Sequence, residues 1–118
     1  MKIFLNKMHL FSIADNNRFL MVQIIDAYLI SHDELIQKIQ LCILNEKYDE
    51  GKKATHALRG ALSVLDQSEL ISKLKKLESQ FNILKNNELN NIFSVLKKEL
   101  NTLEKEILDF KSEINKAV

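Results

Sequence analysis

The stretch "LNNIFSVLKKELNTLEKEILDFKSEI" (residues 89–114) decides the fold. Leu89, Phe93, Leu96, Leu100, Leu103, Ile107, Phe110 and Ile114 succeed one another in steps of four and three. An α-helix returns to the same face at that interval, whereas a strand returns every second residue. The same step runs through Leu70, Leu74, Leu77, Phe81 and Leu84 just upstream, with the polar "KNNE" (85–88) reading as the turn between the two runs. "DQSE" (66–69) offers a capping-box-like start, with Asp66 at the cap and Glu69 at the third helical position. Two heptad-patterned helices on a short polar turn predict an antiparallel helical hairpin.

Working outward, a further helix is expected from about Glu50 to Leu65, capped by Asp49. Ala54, Ala57, Leu58, Ala61, Leu62 and Leu65 make its apolar face, and Lys52, His56, Arg59, Gly60 and Ser63 share the opposite stripe. Before it, a long helix is expected from about Asn16 to Glu46 with Asp15 as N-cap. Ile25, Tyr28, Leu29, His32, Ile36, Ile39 and Ile43 form one face, which Leu20, Met21, Ile24 and Leu35 widen. In "MKIFLNKMHLFSI" (1–13), Asn6, Lys7 and His9 interrupt the apolar run and no small-residue cleavage site comes after it. It reads as a short packing helix rather than a signal peptide. The expected fold is all-α: an up-down antiparallel four-helix bundle with a short N-terminal lid helix, a single domain over residues 1–118.

Composition supports this class. The chain has 118 residues, no Pro and two Gly, which leaves few breaks for a turn-rich β fold. A formal net charge of +1 gives no strong field toward nucleic acid or anionic lipid. No stretch approaches the ~18 apolar residues that a membrane span needs. Cys42 is the only cysteine, so an internal disulfide is impossible and a buried thiol in a reducing, cytoplasmic setting is expected.

Of the three histidines, His32 falls on the apolar face of the long helix, where a packed core histidine is the simpler reading, and His9 has no partner that the sequence identifies. Neither makes a metal-ligand spacing with the other, with Cys42 or with His56, so no metal site is expected. No carboxylate pair, Cys–His pair or Gly-rich phosphate loop suggests a hydrolase or metalloenzyme. His56 lies on the polar stripe with Lys52 one turn before it and Arg59 one turn after it. Those cations could stabilise a phosphoryl group on the imidazole. Gly60, one turn on, removes a side chain where a partner's backbone would approach, and a mid-helix glycine costs about 1 kcal/mol against Ala. The plain alternative is a solvated helix face that happens to carry a His and a Gly.

Ala54, His56, Leu58, Arg59, Gly60, Ala61 and Leu65 in "ATHALRGALSVL" (54–65), with Leu70 in the next helix, make a pattern that resembles the signature of histidine-containing phosphotransfer (HPt) domains. Tyr48 stands where that family often carries an aromatic in its turn, and Leu35, Ile36, Ile39 and Ile43 fall on its apolar positions. Arg59 replaces the usual Lys, which keeps the charge with a different donor geometry, and Asp66 replaces the usual Gly. The resemblance implies a phosphorelay carrier that does not catalyse alone. His56 would accept a phosphoryl group through Nε2, and Glu78, as in some relatives, would accept a bond from its Nδ1–H. Lys52, Gly60, Ser63, Phe11 and Ile13 would contribute to docking. The implied partner is the receiver domain of a response regulator or hybrid sensor kinase, which brings its own Mg²⁺; the chain itself would hold no cofactor and work as a monomer. Two alternatives stay open: a non-catalytic helical interaction module, and an inactive HPt-like adaptor that binds receivers without being phosphorylated.

Overall fold

A computed structural model describes residues 2–116; Met1, Ala117 and Val118, part of the single-domain expectation, lie outside the described residues. The described residues are all-helical, with no strand among them. They form α1 (Lys7–Ile13), α2 (Arg18–Leu44), α3 (Tyr48–Leu62), a 3₁₀ turn (Ser63–Leu65), α4 (Ser68–Gln80) and α5 (Asn86–Lys116). No helix among the described residues is long and apolar enough to cross a membrane.

The stripe on α5 does what its spacing requires: the same eight residues, Leu89 to Ile114, are its buried set. Each such burial contributes about 1.5–3 kcal/mol against leaving the side chain in water. α2 packs on α3 and α5, and α4 packs on the same two helices. Polar contacts between α2 and α5 include Asp26–Lys111 at 2.6 Å, His32–Glu104 at 3.5 Å and Gln40–Lys97 at 2.7 Å. Each step up α2 is matched by a step down α5, so these two helices run antiparallel. The α2 face buries Met21, Ile25, Tyr28, His32, Ile36, Ile39 and Ile43, and also Cys42, whose thiol burial pushes up in pKa. Leu29 and Leu35 are only half-buried, and Leu20 is exposed. Ala57, on the predicted apolar face of α3, is exposed as well.

The helix ends depart from the expected caps: Asp15 and Asp66 make chain reversals, and Asp49 lies inside its helix. Asp15 does not cap α2. It adopts φ 52° just past α1, and the Asp15 and Asn16 amides bond back to the Ser12 and Phe11 carbonyls at 3.2 and 2.8 Å. That is a Schellman closure of α1, and Asn17 caps α2 instead by accepting the Leu20 amide at 3.1 Å. Glu46, at φ 56°, closes α2 in the same way, with Lys47 N–H donating to Cys42 O at 2.8 Å. α3 starts at Tyr48, so Asp49 lies inside its first turn, where a negative charge suits the helix dipole. Asp66 is left-handed at φ 56°, a conformation that Gly and, less readily, Asp or Asn adopt. The α4 cap is therefore Gln67, and no capping box forms; Glu69 pairs with Lys2 and Lys73. The turn before α5 spans 81–85 rather than 85–88.

The N-terminal arm ties the α3–α4 junction to the far half of α5. The Phe4 and Leu5 amides each donate to Glu106 Oε1 at 3.0 Å, and Gln67 Nε2 donates to Phe4 O at 2.6 Å. Leu5 and Leu10 are buried beneath.

The two glycines predict opposite stabilities. A Cβ on Gly51 would lie 2.6 Å from the Phe81 ring, whereas one on Gly60 would meet nothing within 4 Å. Gly51→Ala should destabilise, because overpacking costs about 1–3 kcal/mol and outweighs the roughly 0.5–1 kcal/mol that Ala gains in a helix. Gly60→Ala should stabilise by that same 0.5–1 kcal/mol. Urea titration with an unchanged m-value reads both; a Gly51→Ala chain as stable as the parent would contradict the close Gly51–Phe81 approach.

Candidate functional site

His56 sits mid-way along α3, on the face turned toward α4. Leu58 and Leu62 bury the other face, which leaves the imidazole 69% exposed. Arg59, one turn on, and Glu78, on α4, are each only 21% exposed. Arg59 Nη2 lies 2.8 Å from His56 Nδ1 and 2.9 Å from Glu78 Oε2. Glu78 Oε1 is 3.4 Å from the same ring nitrogen. The guanidinium thus stands between ring and carboxylate. Its pairing with Glu78 is an ion pair rather than an aligned hydrogen bond, since Glu78 Oε2 and Arg59 Nε are both buried with no hydrogen-bond partner among the described residues.

This arrangement fixes a tautomer. A guanidinium nitrogen can only donate. A neutral ring that accepts from Arg59 at Nδ1 therefore keeps its proton on Nε2. The bond expected from Nδ1–H to Glu78 and the observed contact from Arg59 claim the same nitrogen and exclude each other in one tautomer. Moving Arg59 aside would free Nδ1 to carry a proton toward Glu78 and give Nε2 its lone pair.

The other predicted residues are distributed unevenly around this cluster. Lys52 lines a shallow depression with Asp49, Lys53, His56 and Glu78. Gly60 is exposed and bare. Ser63 spends its hydroxyl proton on the Gly60 carbonyl at 2.5 Å, an α3 end contact. Phe11 is 37% exposed and packs edge-on against Phe110 of α5, with ring centroids 5.8 Å apart, and Ile13 is 39% exposed. His9, which had no expected partner, has Nε2 3.1 Å from Val64 O. An apolar groove lies between α2 and α3, lined by Ile24, Ala27, Tyr28, Ser31, Ala61 and Val64. Ala61 is the residue after Gly60, so the groove opens beside the bare turn. The surplus apolar residues of α2 were the signal for it.

Compared with protein-family models, curated proteins and solved structures, the chain matches none.

Nitrogen-15 NMR of the neutral His56 ring should show the proton on Nε2 in the parent chain. In Arg59→Ala the population should shift toward Nδ1–H, now free to pair with Glu78. A parent ring already protonated on Nδ1 would mean that Arg59 does not hold it.

Proposed function

We propose that this chain is a histidine phosphotransfer module of a two-component phosphorelay, working in the cytoplasm as a monomer. In this reading α2 to α5 form an up-down antiparallel four-helix bundle, with the α1 arm laid across one end. The observation that carries it is the grouping on one open helix face: an exposed imidazole, a cation and a carboxylate on its Nδ1 side, and a bare glycine beside an apolar groove. Each of these has a use in phosphoryl exchange with a receiver domain, and together they are costly to explain as ordinary surface.

The chemistry starts from the ring. Nε2, in the Nδ1–H tautomer, attacks the phosphorus of an aspartyl phosphate. The N–P bond forms as the bond from phosphorus to the carboxylate oxygen breaks, and the electron pair leaves with the aspartate. The ring becomes a cation whose Nδ1–H faces the Glu78 carboxylate, which stabilises the charge that develops there. Arg59, displaced from Nδ1, and Lys52, which lines the same depression as His56, would meet phosphoryl oxygens. The receiver would bring its own Mg²⁺, which would neutralise charge on the phosphoryl group and the aspartate during transfer. The chain itself supplies a held nucleophile and a dock, and is a carrier rather than an enzyme.

The contact from Arg59 to Nδ1 favours one second reading, the receiver-binding adaptor whose histidine is held in the unreactive tautomer.

Incubation with a phosphorylated receiver and Mg²⁺ decides between them. Acid-labile, alkali-stable label should appear on the parent and be absent from His56→Gln. Gly60→Gln, whose Cβ would meet nothing within 4 Å, should slow transfer about tenfold or more through misplacement of the receiver. A folded parent that binds receivers but takes no label from a broad panel supports the adaptor.

A further inference from the structure

The phosphotransfer reading leaves the second helix-borne histidine unused. His32 is 1% exposed, and its Nδ1 lies 2.9 Å from the Tyr28 hydroxyl. Its Nε2 is buried with no hydrogen-bond partner among the described residues. That nitrogen points toward α5, where Glu104 Oε2 stands 3.5 Å away. Asp33, at the rim, brings a third group: a ring nitrogen of His32 and one oxygen each of Asp33 and Glu104 all lie within 4.8 Å of one another. Asn101, one turn before Glu104, also acts on the ring, yet leaves Nε2 without a well-formed bond.

A buried ring nitrogen with no hydrogen-bond partner among the described residues, set beside two converging carboxylates, is unfavourable unless a proton or a cation sits between them. We propose that His32, Asp33 and Glu104 form a binding site for a divalent transition-metal ion of the zinc class, joining α2 to α5.

The spacing suits such an ion. With bonds of about 2.0–2.1 Å, neighbouring ligands of a tetrahedral zinc lie about 3.3–3.4 Å apart. The nitrogen-to-oxygen gap of 3.5 Å is already close to that edge, and the Asp33 oxygen, within 4.8 Å of both, would close in on the ion. With the metal bound, Nδ1–H donates to Tyr28 Oη, the outer contact that orients ligating histidines and fixes their tautomer. An imidazole donor selects zinc, nickel or copper over magnesium and calcium, which prefer all-oxygen sites. Asp33 is exposed, so the fourth position opens to water. Sequence spacing could not show this site, because two ligands are adjacent on α2 and the third lies far along the chain on α5. The inference is independent of the phosphotransfer reading.

Calorimetric titration of the chelator-treated chain with ZnCl₂ tests it. One zinc per chain is expected, with a rise in melting temperature as the ion binds the folded state. Removing one ligand in Glu104→Gln or Asp33→Asn should weaken binding about tenfold or more. Both keep the core histidine, so a folding defect in His32→Gln cannot obscure the answer. Zinc should also move the ¹⁵N resonance of His32 Nε2. The proposal fails if zinc does not bind, if binding survives in Glu104→Gln, or if it is lost in His56→Gln instead; in the first case the two carboxylates share a proton in place of an ion.

Discussion

The continuous apolar stripe of α5 is the constraint on which the rest of the molecule depends. It is the one surface that α2, α4 and the N-terminal arm all use. An isolated helix of this composition gains little from propensity alone, and its order comes from burying that stripe. The surface ion pairs that cross from it, Lys73–Glu99 and Lys111–Asp26, set register more than stability, since exposed pairs contribute about 0–1 kcal/mol.

The candidate site is held at second hand by this packing. Phe81 closes α4 fully buried, and its ring fills the space that a side chain on Gly51 would occupy. The contact brings the C-terminal end of α4 close to the first turns of α3. Glu78 lies about one turn before Phe81 and His56 a little over one turn after Gly51, so the same approach that seats the ring brings the carboxylate within reach of the imidazole. Glu78 can meet His56 and Arg59 because the α3–α4 distance is short where Gly51 stands.

Periodicity made the helices legible, and all eight stripe positions of α5 were readable because burial on one face leaves a repeating mark. The ends were harder to read. Asp15, Glu46 and Asp66 take left-handed backbone conformations that glycine usually marks, so Asp15 and Asp66 read as acidic N-caps, and Glu46 as the end of a helix, where the chain uses reversals. His56, Arg59 and Glu78 were legible as a set. That Arg59 would stand on Nδ1 was not, because it depends on a side-chain rotamer between two helices. The grouping of His32 with Asp33 and Glu104 left no local trace, because it is made by the antiparallel pairing of α2 with α5.

The glycines separate what the fold needs from what it does not. Gly51 is required internally, since any side chain there collides with Phe81. Gly60 faces open space, and an alanine in its place would strengthen α3. Under the phosphotransfer reading, a residue that weakens a helix without relieving any internal contact answers a demand from outside the fold. Its position one turn from His56 and next to the α2–α3 groove gives that outside demand a place. The same contrast holds for the histidines. His32 is buried with a nitrogen that has no hydrogen-bond partner among the described residues, and His56 is exposed with a nitrogen in contact with Arg59. These two nitrogens are the observations from which the two proposals start.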